Sequence, residues 1–131
     1  MIFEKKFDPW NDEKKSLEKR PVLRVHEGEI WWCSLGVNVG DEQDGKNDLF
    51  ERPVLIVRKF NNSIVWAVPM STKIKEWPYY HNIEHDGVQF SVLLSQLRIV
   101  STKRMRRYIR KVWTGSLEEV VQKIVTLFGT I

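Results

Sequence analysis

Two polar clusters stand at the ends of strand-like segments, and their side chains suit the binding of a phosphodiester. Arg52 begins one apolar segment, and Ser71, Thr72 and Lys73 follow the end of the next. The Asn61-Asn62 turn between the segments predicts a β-hairpin, which would bring both clusters to the same end of a sheet. A planar guanidinium can bind two phosphate oxygens at once. This arrangement indicates an RNA-cleaving site.

RNA can be cleaved without metal when its own 2′-hydroxyl attacks the adjacent phosphate. Such a site needs a proton acceptor, a proton donor and positive charge around the phosphorane. Arg52 suits the charge and donor roles better than the base role, because its pKa exceeds about 12. Ser71 and Thr72 offer hydroxyls, and Lys73 and Lys75 add charge. The same residues are also compatible with an ordinary surface arginine and an ordinary Ser-Thr turn, so the residues alone leave both interpretations open.

Other chemistry has weaker support in the sequence. His81 and His85 are four residues apart in a segment that reads as a strand, so no metal site or other cofactor is predicted. Cys33 lies in an apolar strand and is expected to be a buried small residue. Glu42 and Asp44 could accept protons or simply keep their loop solvated.

The aromatic residues offer a possible contact with bases. Trp31 and Trp32 are adjacent in a strand, so they should face opposite sides of the sheet. One of them should face the core, and the opposite face of the strand could be covered by the N-terminal helix, by another subunit or by stacked bases. Trp77 lies in a loop after the Ser-Thr-Lys cluster and is the better candidate for base stacking.

The charge is unevenly distributed. The chain has 131 residues and a net charge of +4, yet residues 87–117 contain seven basic residues and no acidic one. By contrast, residues 41–51 contain five acids and one lysine. A basic band beside an acidic loop is typical of a surface that binds a polyanion, although a basic edge strand that discourages aggregation would look the same.

Length and composition predict a single small domain with an N-terminal extension over 1–27 and a main domain over 28–131. No run of about 18 apolar residues is present, so no membrane span is expected. The segment 1–6 has charges of both signs and no apolar core, which predicts a cytoplasmic protein.

The pattern of apolar residues predicts an α+β, mainly β, fold: a small, strongly curved barrel or half-barrel with a C-terminal helix and an N-terminal helical extension. A helix is expected over 8–20 with Asp8 as its N-cap, and a second helix is expected to open with a capping box at Ser116. A long loop over 36–50 is expected to be a lid, a binding loop or disordered. The predicted strands cover 30–35, 52–60, 63–70, 79–85, 88–94 and 108–113.

Five motifs, in order, resemble the MazF/PemK family of toxin endoribonucleases over roughly residues 28–128. They are Gly28-Glu29-Ile30-Trp31-Trp32, the loop segment 39–45, Arg52-Pro53-Val54, the segment 69–75 and Ser95-Gln96-Leu97-Arg98. The resemblance implies a small SH3-like β-barrel with a C-terminal helix that acts as a homodimer. It also implies a toxin that cleaves single-stranded RNA without metal, leaves 2′,3′-cyclic phosphate and 5′-hydroxyl ends, and is neutralised by a protein antitoxin.

The resemblance also assigns roles to individual residues. It implies that Arg52 and Ser71 are catalytic, with serine standing where the family usually has threonine. It further implies that Glu42, Gln43, Thr72, Gln96 and Arg98 bind substrate. The residue types add Lys73, Lys75 and Trp77 as further substrate-binding candidates. Two departures stand out, namely the insertion of residues 46–51 before Arg52 and the N-terminal extension.

Two other functions are open at this stage. One is a non-catalytic nucleic-acid-binding module on the same barrel, which would use the basic band alone. The other is a toxin that poisons gyrase, because a family with that activity shares the fold and a fold does not determine function.

Overall fold

The computed structural model describes residues 4–129, which form a mainly antiparallel β-sheet with two α-helices. Two short 3₁₀ turns, Leu94–Gln96 and Thr102–Arg104, flank the sixth strand. In chain order the main elements are α1 (Phe7–Glu18), β1 (Glu29–Ser34), β2 (Glu51–Lys59), β3 (Ile64–Ser71), β4 (Tyr80–His85), β5 (Val88–Leu93), β6 (Arg98–Ser101), β7 (Met105–Lys111) and α2 (Thr114–Leu127).

The strands follow the order β4-β5-β3-β2-β1-β7, and β6 also pairs with β3. All of these pairs are antiparallel. Within residues 4–129 the end strands β4 and β7 do not pair with each other, so the sheet is open. The mainly β architecture with a C-terminal helix is confirmed, whereas the closed barrel is not seen in the pairing. No helix in the same range is long and apolar enough to cross a membrane.

The sheet carries a core on each face. One core contains Ile30 and Leu55 and is covered by Val120 and Ile124 of α2. The other contains Cys33 and has Trp31 packed against it. Successive residues of β1 therefore pack into opposite cores, as expected for a strand whose side chains alternate between the two faces.

Several element boundaries differ from the sequence predictions. Helix α2 begins at Thr114, and no side chain caps it, so the capping box at Ser116 is wrong. Helix α1 follows Lys6 and likewise has no side-chain cap, which excludes Asp8 from that role. Strand β7 begins at Met105 because its pairing with β1 starts there. These boundaries depend on tertiary pairing that local sequence does not encode.

Candidate functional site

The pairing of β2 with β3 brings the two polar clusters together. Val54 is the partner of Pro69, and Arg52 and Ser71 lie two residues beyond this pair on their own strands. Both line a cavity of about 280 Å³ at this end of the sheet. The cavity is lined by Trp32, Lys46, Asn47, Glu51, Arg52, Pro53, Met70, Ser71, Thr72, Lys73 and Phe90. The structure therefore joins four of the ten predicted site residues in one place.

The guanidinium of Arg52 is held by backbone carbonyls. Its Nε donates to the carbonyl oxygen of Asp44 at 2.8 Å, and its Nη1 donates to that of Met70 at 3.3 Å. The amide of Gln43 lies beside it; with its oxygen turned toward the guanidinium, that oxygen accepts from Nη2 at 2.8 Å. Because these acceptors come from two segments, the orientation of the planar group is fixed before any substrate binds.

Partial burial affects the charge of this arginine. Desolvation lowers the pKa of Arg52, and the neighbouring Asp44 carboxylate partly offsets the effect. A partly desolvated guanidinium acts more strongly on a nearby phosphate than one in bulk water, because the local dielectric constant is lower. The site therefore has a preoriented and electrostatically effective cation.

The hydroxyl of Ser71 sits at the rim of the cavity. Its Oγ accepts a hydrogen bond from the backbone N–H of Lys73 at 3.1 Å. This bond uses a lone pair of the oxygen, so the hydroxyl hydrogen stays free to donate to a substrate oxygen. Thr72 and Lys73 are exposed beside it. The hydroxyl and ammonium groups thus face solvent, where a polyanion can reach them.

Glu51 also lines the cavity, although the sequence predicted it only as the last acidic residue of the loop. The side chain is 3% exposed, and its Oε1 accepts from Arg107 Nη2 at 3.0 Å and from Asn47 Nδ2 at 3.2 Å. The guanidinium of Arg107 also lies 5.1 Å from the ring centre of Trp32. Glu51 and Trp32 come from neighbouring strands and Arg107 from β7. Strand β2 begins one residue earlier than the sequence predicted, and this extension places Glu51 opposite Ser34.

Four other predicted residues line a separate cleft of about 730 Å³: Glu42, Gln43, Gln96 and Arg98. Gln96 Oε1 accepts from the backbone N–H of Gln43 at 3.2 Å, and its amide nitrogen donates to the carbonyl of Asp41. Glu42 Oε1 accepts from the backbone N–H of Val39 at 3.0 Å, so this carboxylate stabilises a loop turn. Gln43 lies between this cleft and Arg52.

The last two predicted residues, Lys75 and Trp77, lie in a third place. They line a depression together with Tyr80, His81 and Lys123, among others. The ring of Trp77 is half exposed and meets Tyr79 and Tyr80 edge-on at 5.0 and 5.3 Å. This is an aromatic surface beside positive charge, separate from the cavity.

The predicted basic band does not form one continuous surface. Residues alternate across β7, and much of its charge is paired within the chain. The ion pairs are Lys103–Glu18, Arg106–Glu13, Arg107–Glu51 and Arg110–Asp86. All four acids lie outside residues 87–117, and two of them, Glu13 and Glu18, belong to α1. The accessible positive charge is therefore smaller than +7.

The remaining chemical groups have simpler roles. Burial raises the pKa of the Cys33 thiol to about 12, which keeps it protonated in the core. Among residues 4–129, no three His, Cys, Asp or Glu side chains are grouped so as to hold a metal ion.

The sequence model of the family described as "PemK-like, MazF-like toxin of type II toxin-antitoxin system" matches residues 26–128. The chain belongs to this family. Comparison with curated protein sequences gives no match.

Solved structures of MazF proteins share the fold. MazF from Deinococcus radiodurans has 21% sequence identity and a TM-score of 0.67, and the match covers 82% of this chain and 99% of that one. An endoribonuclease in complex with its cognate antitoxin, from a mycobacterial species, has 16% identity and a TM-score of 0.63, with 82% and 97% covered. The Deinococcus MazE–MazF complex gives 18% identity and a TM-score of 0.59, with 83% and 99% covered.

Proposed function

We propose that this chain is the endoribonuclease toxin of a type II toxin-antitoxin system and that it cleaves single-stranded RNA in the cavity at the β2–β3 end of the sheet. The observation that carries the proposal is the meeting of Arg52 with Ser71 and Lys73 in that cavity. Membership in the toxin family supports the same activity.

In the proposed reaction, the RNA 2′-hydroxyl attacks the adjacent phosphate and the 5′-oxygen leaves. Arg52 would stabilise the negative charge of the phosphorane with the N–H groups that its contacts within the chain leave unused, and Ser71 would donate a hydrogen bond to a phosphate oxygen. The reaction needs no metal ion and leaves 2′,3′-cyclic phosphate and 5′-hydroxyl ends. Thr72 and Lys73 would bind the flanking phosphates.

The two other surfaces would bind the RNA on either side of the cleaved bond. Gln43 contacts Arg52 and also lines the cleft with Glu42, Gln96 and Arg98, so this cleft adjoins the reaction centre through Gln43. Lys75 and the exposed ring of Trp77 offer positive charge and a stacking surface, which sequence-tolerant binding of single strands uses.

Assembly and control belong to the same proposal. The family resemblance implies a homodimer, and two of the similar solved structures contain an antitoxin. We expect an acidic, partly disordered antitoxin segment to cover the cavity.

The strand order is compatible with an opened SH3-like barrel, because β3 pairs with β2, β5 and β6 and so joins the two halves of the sheet. The division into 1–27 and 28–131 also remains a proposal.

The decisive test is cleavage of a mixed single-stranded RNA pool in the presence of a chelator, with sequencing and chemical analysis of the ends. We expect recurrent cleavage sites with 2′,3′-cyclic phosphate ends, and no cleavage by the Arg52→Ala protein. Equal cleavage by that variant would contradict the assigned site. RNA binding without cleavage would favour the non-catalytic module, and inhibition of gyrase without cleavage would favour the gyrase poison.

A further inference from the structure

The N-terminal helix lies outside the region that the family model matches, yet it packs on both ends of the loop 35–50. The ring of Trp10 lies 5.5 Å from that of Phe50 at the end of this loop. At the other end, a Cβ on Gly36 would come within 2.1 Å of the Trp10 ring, so only glycine permits this contact. Helix α1 therefore holds together the two ends of the loop that leads into β2.

Lys5, just before α1, is bound to the middle of the same loop. Its ammonium donates to the carbonyl oxygens of Asn38 at 2.6 Å and Gly40 at 2.9 Å. It also lies 3.1 Å from a carboxylate oxygen of Asp44. A lysine ammonium has three N–H donors, so these contacts use all of them within one loop.

Asp44 connects this lysine to the candidate site. Its carboxylate, held by Lys5, also accepts from the backbone N–H of Asn38 at 2.7 Å. Its own carbonyl oxygen accepts from Arg52 Nε at 2.8 Å. A rotation of the Asp44 peptide would therefore remove one of the two backbone carbonyls that orient the guanidinium of Arg52.

Packing on α1 also stabilises the backbone conformation of Phe50. Phe50 has a φ of +52°, a left-handed conformation that is unfavourable for a bulky residue. The side chain is nevertheless buried against Trp10, so packing on α1 stabilises this conformation. Two independent contacts of the N-terminal segment thus hold the loop on either side of Asp44.

We propose that Lys5 is a positioning residue of the active site: it fixes the Asp44 peptide, and through it the guanidinium of Arg52. The kinetic effect expected from this inference rests on the proposed function, whereas the effect on the orientation of Arg52 does not. On this account Lys5, which lies outside the region that the family model matches, positions the arginine of the active site.

The kinetic test compares Lys5→Met with Lys15→Met. Both remove an ammonium and keep an unbranched stem, but Lys15 is exposed on α1. Lys5→Met should lower kcat for RNA cleavage roughly 10- to 100-fold with little change in KM, because a misplaced catalytic group affects the transition state more than binding. Lys15→Met should retain the parent values. Equal kinetics for Lys5→Met and the parent would overturn the proposal.

A double-mutant cycle tests the route through Asp44. Asp44→Asn should also lower kcat, and adding Lys5→Met to it should cost less than the product of the two separate losses. Fully multiplicative losses would mean that Lys5 acts elsewhere.

A readout independent of cleavage separates this inference from the proposed function. The Nε–H of Arg52, assigned by its loss in Arg52→Lys, should exchange slowly with solvent by NMR in the parent and in Lys15→Met, and faster in Lys5→Met. If the parent protein cleaves no RNA but this difference is present, the function fails and the positioning role stands. Unchanged exchange in Lys5→Met would overturn the role.

Discussion

Arg52 is held through two different nitrogens, which a lysine cannot imitate. Replacement by lysine keeps the charge but loses the bonds to the carbonyls of Asp44 and Met70 and the planar contact with phosphate. We expect single-turnover RNA cleavage by Arg52→Lys to fall about 100-fold, which corresponds to about 3 kcal/mol of transition-state stabilisation. Arg58→Lys, an exposed change on the same strand, should have no effect. Comparable losses in both variants would argue against a special role for Arg52.

Ser71 tests the need for a hydroxyl at the rim. Ser71→Ala should reduce cleavage at least 10-fold, since one donor to the reacting phosphate is lost. Ser71→Thr should stay close to the parent rate, because the hydroxyl remains. Ser63→Ala, in the exposed hairpin turn, is the control for general effects of serine removal. A Ser71→Ala protein as active as the parent would remove the hydroxyl from the mechanism.

The carboxylate of Glu51 depends on its arginine partner. Arg107→Ala should lower the free energy of unfolding by about 2 kcal/mol, because a buried carboxylate loses a charged hydrogen bond. Urea denaturation measures this, with Lys111→Ala on the same strand as the exposed control. If Arg107→Ala and Lys111→Ala are equally stable, the ion pair contributes little to the fold.

The sequence predicted the contact between residues of the β2–β3 hairpin, but it did not predict the contact between residues of strands that are distant along the chain. The Asn61-Asn62 turn fixes the β2–β3 pairing closely enough to join Arg52 with Ser71. The contact of Glu51 with Arg107 requires the order β2-β1-β7, which follows from pairing over more than fifty residues. A single sequence carries no local pattern for such a partner.

At the scale of elements, β4 is linked to α2 through His81. Burial of this side chain and the nearby Lys123 lower the pKa of His81, against the opposing effect of Glu119, whose carboxylate is 3.5 Å away. The fold therefore favours the neutral ring. Its contribution to stability is complete above the ordinary histidine pKa of about 6.5 and is lost as the pH falls below that value.

This linkage gives a measurable difference in acid. Between pH 7 and pH 5, the parent protein should lose more unfolding free energy than His81→Gln does. His26→Gln, which changes an exposed histidine, should follow the parent. Thermal or urea unfolding at several pH values measures the slopes, and parallel slopes for the parent and His81→Gln would exclude this histidine as the cause.

The elements themselves were easier to predict than their limits. Alternation of apolar residues located every strand except β6, and the helical spacing of Val120 and Ile124 located α2. Not every apolar residue of this C-terminal segment is buried, since Val121 and Phe128 remain exposed. Local periodicity predicts whether a segment is a helix or a strand, whereas the area of a helix that is buried depends on its packing against the sheet.

At the scale of the whole molecule, intramolecular pairing should weaken the salt dependence of RNA binding. Four of the seven basic residues between 98 and 111 are paired with acids of the chain. We expect log K to fall with log salt concentration with a slope of about −2 to −3, whereas seven phosphate contacts would give about −5. Fluorescence anisotropy with a labelled single strand measures the slope. A value near −5 would mean that RNA displaces these acids.

Assembly is testable without a substrate. The proposed homodimer should give twice the chain mass in light scattering at tens of micromolar, with isologous contacts between the two copies. A stable monomer at that concentration would contradict the dimer.

The loop insertion at residues 46–51 closes on itself. Lys46 and Glu51 exchange reciprocal backbone hydrogen bonds of 2.8 Å, so the chain leaves and re-enters the loop at nearly one point. The segment between these two residues ends at Phe50, on which Trp10 of the N-terminal helix packs. The two departures from the family pattern are therefore one physical unit, and evolution should gain or lose them together: homologues with the helix should have the insertion, and those without it should have the shorter loop.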